Sequence, residues 1–215
     1  MRAWYARACG DPGSVLEFGQ LPRPQPGAQQ VLVRVSCSSL NPIDLRMIQG
    51  YGGRLRRLLA RPAFPLVVGR DVVGEVVETG AAAKRFRAGD RVVGIAGTMD
   101  PGAHAEYVAV DEINLVPAPE HVPSEELAAL AYVGLTAWTA LVGHLGLDPC
   151  GAGGKHLFVH AGSGGVGSFA VQWAHALGMR VTTTCGPSNV GWVRALGADR
   201  VSNYQESDYR HVAGE

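Results

Sequence analysis

Residues 162–167 read Gly-Ser-Gly-Gly-Val-Gly, the pattern G-x-G-x-x-G. Alone the pattern is weak; its setting gives it force. The run Lys155–Ala161 has the composition of a strand, and helical patterning follows from about Ser168 to Leu177. In a strand–turn–helix unit the glycines allow a tight turn and close approach of backbone to a pyrophosphate. The helix N-terminus adds unbonded N–H groups and the positive end of its dipole. The cradle therefore comprises Gly162, Ser163, Gly164, Gly165, Val166 and Gly167. Gly178 stands where this helix should stop. Arg180–Cys185, rich in β-branched residues, predicts a second strand. A helix over Asn189–Leu196 ends at Gly197, and Asp199–Tyr204 predicts a third strand. This β-α-β-α-β order requires a parallel sheet with right-handed crossovers. A glycine turn that merely packs a helix on a sheet is the plainer reading, and the surrounding β-α-β pattern speaks against it.

Ahead of this region the rhythm differs. Gln30–Cys37 alternates, with Val31, Val33, Val35 and Cys37 on one face. The N-terminus enters a strand-like stretch at once, and Val72–Thr79, Arg91–Ala96 and Ala105–Val110 are further strands. Pro26-Gly27, Gly89-Asp90 and Pro101-Gly102 mark joints, and Gly74 inside a strand signals a bend or close packing. Many short strands with such punctuation predict a small barrel or sandwich. Ser124-Glu-Glu-Leu127 reads as a capping box opening an Ala/Leu-rich helix. The expected domains are residues 1–122, β-rich, and 123–215, α/β.

Lys+Arg and Asp+Glu each number 19, so the formal net charge is zero. That balance argues against nucleic acid as a partner, because binding phosphates along a strand needs a basic surface. The basic run Arg54–Arg61 reads as a solvated face, with a membrane or partner surface as the minority reading. No apolar run reaches membrane-spanning length, and membrane association is not expected. Cys9, Cys37, Cys150 and Cys185 are scattered, with no C-x-x-C pair, which suits a reducing compartment. With no signal-like apolar run at the N-terminus, the expected location is the cytoplasm.

Cofactor choice is written at the end of the second strand. A site for NAD places an Asp or Glu there to hold the ribose 2′-OH. Here the chain reads Cys185-Gly186-Pro187-Ser188, without a carboxylate. A negative side chain would repel a 2′-phosphate, so its absence favours NADPH. Gly186 belongs to this loop, and Ser188 and Tyr204 are candidate donors to the phosphate. Their plainer roles are a helix cap for Ser188 and a strand aromatic for Tyr204.

Gly69-Arg-Asp-Val-Val-Gly74, Gly89-Asp-Arg-Val-Val-Gly94, Leu135-Thr-Ala-Trp138 and the glycine turn stand in the order found in medium-chain dehydrogenases/reductases. Leu40-Asn-Pro-Ile-Asp44 resembles the quinone oxidoreductase and enoyl reductase branch. Ile48-Gln-Gly-Tyr-Gly52, Phe64-Pro-Leu-Val-Val-Gly-Arg-Asp71 and Tyr132-Val-Gly-Leu-Thr-Ala-Trp138 resemble the reticulon-4-interacting protein 1 group and its bacterial relatives. The resemblance runs over nearly the whole chain. It implies a GroES-like β-barrel substrate domain followed by the first half of a Rossmann parallel sheet, with the active site in the cleft between the domains.

The resemblance also implies zinc-free chemistry. Asn41 and Gly69-Arg70-Asp71 stand where zinc-dependent members carry a Cys and a Gly-His-Glu, and His104 lacks partners for a zinc site. The implied reaction is hydride transfer from NADPH to a quinone or a conjugated enone. Asn41 is the implied active-site donor, its plainer role being a turn residue before Pro42. Tyr51 lies one position before the place where enoyl reductases carry a proton-donating tyrosine. Thr136 sits in the motif that approaches the cofactor in relatives, its plainer role being a packed helix residue. Asp44 is expected to brace the loop. A trans-2-enoyl thioester reductase and a non-catalytic NADPH-binding or partner protein are the alternatives. Family members continue beyond the point where this chain stops. The expectation is therefore a C-terminally truncated chain, weak or inactive alone, with a homodimer of the full-length form left open.

Overall fold

The computed structural model describes residues 1–58, 64–97 and 100–206. It divides into two compact units, Met1–Tyr132 and Val133–Glu215. The division falls ten residues later than the 122/123 boundary read from sequence. Leu127 and Ala128, early in the helix that opens at Ser124, pack with Val73, Val93 and Ala118 of the first unit. Burial of that apolar patch binds the helix start to the β-rich unit.

The first unit contains strands β1 (Arg2–Ala6), β2 (Leu16–Gln20), β3 (Gln30–Cys37), β4 (Leu66–Val67), β5 (Asp71–Thr79), β6 (Arg91–Ile95), β7 (Tyr107–Asp111) and β8 (Leu115–Pro117). They form a five-stranded sheet of order β7-β3-β5-β6-β8 and a three-stranded sheet of order β2-β1-β4. Among the described residues a single bridge, Ala3 to Ala105, lies outside these ladders. The expected barrel is thus two antiparallel sheets rather than one closed ring of hydrogen bonds. The core gathers Val31, Val33, Val72, Val76, Val92, Val108, Val110 and Leu115. The alternation read for β3 fails at its start, because Leu32 is as buried as Val31 and Val33. β3 lies between β5 and β7, and burial of the consecutive residues 31–33 shows that both of its faces are covered there. Gly74 permits the close pairing of β5 with β3: a Cβ would lie 2.7 Å from Val33 Cγ1 and 3.0 Å from Arg34 C.

Three short helices were not foreseen: α1 (Pro12–Val15), α2 (Pro42–Ile48) and α3 (Gly53–Leu58). Proline starts the first two, where its missing N–H costs nothing. The basic run Arg54–Arg61 falls partly on α3, and residues 59–61 lie outside the described residues.

Helix α4 (Ser124–Trp138) carries the chain across the boundary and continues as a π-helical segment, Thr139–His144. Ser124 is its first helical residue, not its cap: Leu127 N–H donates to Pro123 O at 3.2 Å. The Ser124 hydroxyl instead meets Arg91 Nη2 at 3.1 Å. Contrary to the sequence reading, Ser124–His144 is long and apolar enough to cross a membrane by length and composition. The two glutamates at its start and the glycines and threonines along it disguise the run. Ala137 and Leu141 of this helix enter the second unit's core, while most of its apolar window is not buried.

The second unit holds β9 (His156–Val159), α5 (Gly165–Ala176), β10 (Arg180–Cys185), α6 (Val190–Ala195) and β11 (Arg200–Asn203). The strands form a parallel sheet of order β11-β10-β9. Its core joins Val171 and Ala174 of α5 to Val181, Cys185 and Val193.

Candidate functional site

The glycine turn is fixed from below by β10. Thr182, Thr183 and Thr184 are all buried, and each hydroxyl finds a partner on or next to β9. Thr182 Oγ1 meets His156 Nε2 at 2.7 Å. Thr183 Oγ1 donates to Val159 O at 2.6 Å. Thr184 Oγ1 accepts from Ala161 N–H at 2.9 Å and lies 3.0 Å from His160 Nδ1. Gly162 N–H donates to Thr184 O at 2.8 Å. Sequence reasoning took the three threonines only as strand formers. The signal that they anchor the turn was their hydroxyls, which a buried strand must satisfy.

Gly164 caps α5 in an extended conformation, and Ser168 N–H is the first to bond back, to Gly164 O at 2.8 Å. Helix geometry leaves the N–H groups of Gly165, Val166 and Gly167 without intrahelical acceptors. Gly164 and Gly165 are exposed, while Gly162 and Gly167 are buried. A Cβ on Gly167 would lie 2.9 Å from both Ala161 C and Gly162 Cα; one on Gly162 would lie 3.0 Å from Thr183 Cγ2. The buried pair closes the turn and the exposed pair offers bare backbone, as a pyrophosphate requires. A cavity of about 480 Å³ adjoins the turn, lined by Gly164–Gly167, His160, Ala161, Ala137 and Leu141 among others. Thr136 is exposed on α4 beside the buried Ala137. Trp138 stacks on Trp173, centroids 5.2 Å apart, and holds the end of α4 on α5.

Pro187–Asn189 form one 3₁₀ turn capped by Gly186, and Asn189, not Ser188, caps α6. A Cβ on Gly186 would lie 3.0 Å from the Tyr204 hydroxyl. Gly186 and Tyr204 are therefore neighbours, and Tyr204 is 57% exposed just beyond β11 rather than packed within it. Cys185 is fully buried, and burial pushes its thiol above the ordinary range.

In the first unit the motif residues gather into one buried polar network. Asp44, Arg70 and Asp71 are each 1% exposed or less. Asp44 braces the loop as expected: Oδ2 accepts from Asn41 N–H and Oδ1 from Gly69 N–H, both at 2.8 Å. Arg70 Nε stands 3.9 Å from Asp44 Oδ1, and Nη1 donates to Gly97 O at 2.5 Å. Gly69 takes φ +96°, and a Cβ there would lie 2.8 Å from His104 N, so glycine is required. His104 is a half-buried loop residue whose Nε2 lies 2.9 Å from Ser39 O. A carbonyl only accepts, so Nε2 carries the proton.

Asn41 is 6% exposed and caps α2 ahead of Pro42. Its amide nitrogen donates to Asp71 Oδ2 at 2.6 Å and to Ser39 Oγ at 3.2 Å. Ser39 Oγ donates to the same Asp71 oxygen. Asp71 Oδ1 accepts from Tyr132 N–H at 2.6 Å. Tyr51 lies in a turn and is 60% exposed.

Tyr132 was missed as a candidate. Its half-buried phenol lies within electrostatic reach of Arg70, Asp44, Asp71 and Tyr51. Burial pushes it above its ordinary value; the pull of Arg70 opposes this, and Asp44, Asp71 and Tyr51 add to it. Among the described residues no three His, Cys, Asp or Glu side chains gather as a metal ion would need.

Comparison with known proteins agrees with both halves of this picture. The alcohol dehydrogenase GroES-like domain family matches residues 27–120. The chloroplast envelope quinone oxidoreductase homolog of Arabidopsis thaliana is 40% identical over 206 residues, covering 95% of this chain and 61% of that protein. The mitochondrial NAD(P)H oxidoreductase RTN4IP1 of Drosophila melanogaster is 40% identical over 220 residues, covering 95% of this chain and 53% of that one. The structure of the quinone oxidoreductase from Coxiella burnetii matches with a TM-score of 0.86 and 34% identity, over 99% of this chain and 65% of that one. The chain spans less than two thirds of the length of each of these relatives.

Proposed function

The chain belongs to the medium-chain dehydrogenases/reductases, in their quinone oxidoreductase branch, and on that premise we propose that it serves NADPH-dependent transfer of a hydride to a quinone or a conjugated enone. The observation that carries the reading is the glycine cradle at the start of α5 together with the carboxylate-free loop after β10. Bound there, NADPH would supply the hydride. Gly164–Gly167 would hold its pyrophosphate through backbone N–H groups and the helix dipole. Gly186, Ser188 and Tyr204 would face the 2′-phosphate, with neutral donors where an acidic residue would repel it.

Zinc has no part in this reading. Arg70 is a buried guanidinium, permanently cationic and a donor only, so it cannot ligate a metal. Without a Lewis acid, conjugated acceptors suit the site better than simple ketones. Asn41 and Tyr51 belong to the acceptor side of this reading, Asn41 through the network that shapes the loop. The four cysteines stand as free thiols, two of them exposed, which fits a reducing compartment; the cytoplasm is the compartment this reading takes.

The test is nucleotide oxidation by the purified chain with 9,10-phenanthrenequinone and with crotonyl-thioester as separate acceptors. Faster turnover of the quinone, with NADPH preferred, supports the reading. Preference for the thioester replaces the acceptor. Nucleotide binding without turnover of either, also in a form extended to the length of its relatives, leaves a binding protein.

A further inference from the structure

The start of α5 is seated on two peptides of the preceding turn. A Cβ on Gly167 would lie 2.9 Å from both Ala161 C and Gly162 Cα. Gly164 N–H, at the helix cap, donates to Ala161 O at 3.0 Å. The direction of Ala161 and Gly162 therefore sets the direction of the N–H groups of Gly165, Val166 and Gly167, which have no intrahelical acceptors.

Ala161 is the weak member of that seat. Among the described residues it is the one residue other than glycine with a positive φ, 60°. A side chain with a Cβ avoids this left-handed conformation, which glycine takes readily. Ala161 is also exposed, so water is at hand to satisfy its amide in an ordinary conformation. A specific bond must hold it where it is.

We propose that Thr184 is the positioning residue of the pyrophosphate site: its hydroxyl locks Ala161 in the left-handed conformation and, through it, aims the cradle's N–H groups at the pyrophosphate of NADPH. The inference rests on the NADPH reading and deepens it.

One residue grips both peptides. Thr184 Oγ1 accepts from Ala161 N–H at 2.9 Å, and Thr184 O accepts from Gly162 N–H at 2.8 Å. Two successive turn amides are drawn down onto β10, and the amides at the start of α5 are left for the cradle. The side chain is fully buried, and its branched Cβ restricts the rotamer. His160 Nδ1 lies 3.0 Å from Oγ1, within reach of the hydroxyl's own hydrogen, which leaves an oxygen lone pair for Ala161. The neighbouring hydroxyls are committed elsewhere: Thr183 Oγ1 donates to Val159 O, and Thr182 Oγ1 meets His156 Nε2. The main chain of Thr184 is fixed independently, in register with Ser202 of β11. Loss of the hydroxyl thus releases Ala161 without moving β10 or the loop Gly186–Ser188 beyond it.

The test separates the two ends of the nucleotide. Thr184→Val keeps the shape and the branched Cβ but accepts no hydrogen bond, while Thr184→Ser keeps the hydroxyl. Each purified chain is titrated by calorimetry with NADPH and with adenosine 2′-phosphate, which has the 2′-phosphate and lacks the pyrophosphate. Thr184→Val should lose at least tenfold in NADPH affinity, about 1.4 kcal/mol, and stay within twofold for adenosine 2′-phosphate. Thr184→Ser should stay within threefold of wild type for both. Adding Ala161→Gly to Thr184→Val should recover at least threefold in NADPH affinity, because glycine holds a positive φ without the bond. A general loss of structure would weaken both ligands together, and glycine at 161 would not reverse it. As a readout that needs no variant, the Ala161 amide of the wild type should exchange with solvent deuterium at least tenfold more slowly than an unstructured amide, although the residue is exposed. Parallel loss of both ligands, wild-type NADPH affinity in Thr184→Val, or an unprotected Ala161 amide overturns the assignment and leaves the NADPH reading standing. No NADPH binding by the wild type strikes the functional reading, and this assignment with it.

Discussion

The sharpest structural test of the cradle is Gly167→Ala set beside Gly164→Ser. A Cβ at 167 would sit 2.9 Å from Ala161 C and from Gly162 Cα, where carbon atoms prefer about 3.5–4.0 Å. Both neighbours are backbone, so no side chain can swing away. Ala161 and Gly162 are in turn tied to Thr184 through two N–H bonds of 2.9 and 2.8 Å. Relief therefore requires α5 to move off the turn by roughly half an ångström or more, or those bonds to stretch. Overpacking of this kind costs about 1–3 kcal/mol, and the rigid backbone puts Gly167→Ala at about 2–3. At Gly164 a Cβ meets only Ala161 O, at 3.4 Å, and φ is −81°, open to any residue. Serine is also a better N-cap than glycine, so Gly164→Ser should be neutral or gain a few tenths of a kcal/mol. In urea unfolding followed by tryptophan fluorescence, a slope of about 2 kcal/mol/M turns this into a midpoint about 1 M lower for Gly167→Ala. Gly164→Ser should hold its midpoint yet lose NADPH affinity, because its side chain occupies the exposed cradle. Equal midpoints for wild type and Gly167→Ala, or a fall confined to Gly164→Ser, would refute the packing argument.

Three further outcomes follow from particular residues. Ala161 is held at φ 60°, which costs an L-residue about 1–2 kcal/mol. Glycine removes that strain but gives back about 0.4–1 kcal/mol through the unfolded chain, so Ala161→Gly should raise the urea midpoint slightly, and a lowered midpoint counts against the strain. Asp44→Ala should destabilise the chain by about 3–5 kcal/mol, because it takes from the buried Arg70 a carboxylate 3.9 Å away and leaves two N–H groups without that acceptor; circular dichroism showing a fold as stable as wild type would contradict this. Burial raises the Cys185 thiol and closes it to reagents. Iodoacetamide near neutral pH should therefore label the exposed Cys9 and Cys150 first, and mass spectrometry finding Cys185 modified in the native chain would be the failing result.

The regular second unit was readable because its signals are local. The Arg180–Cys185 strand stands with the bounds read from sequence, and β11 lies inside the expected third strand. Gly178 and Gly197 end their helices as expected. The first unit was less legible because its pairings are distant. β4 is two residues long and is defined only by its register with Tyr5 and Ala6. α2 is hidden by Pro42, which looks like a turn and proves to be a helix start. The site followed the same division. The glycine turn and the loop after β10 are local motifs. The Asn41–Ser39–Asp71–Tyr132 brace joins residues up to ninety-three positions apart in sequence, so no window of sequence contains it. Tyr132 was visible only as the first letter of a motif valued for Thr136. Arg70 and Asp71 were read for the ligands they replace, and their burial became apparent only with the fold.

The central claim is that this chain carries a cradle built for NADPH. The direct measurement is titration of the purified chain with NADPH and with NADH, followed by tryptophan quenching. The account predicts saturable binding with NADPH at least tenfold tighter, about 1.4 kcal/mol in its favour. Equal affinity for the two, tighter NADH, or no saturable binding of either would contradict it.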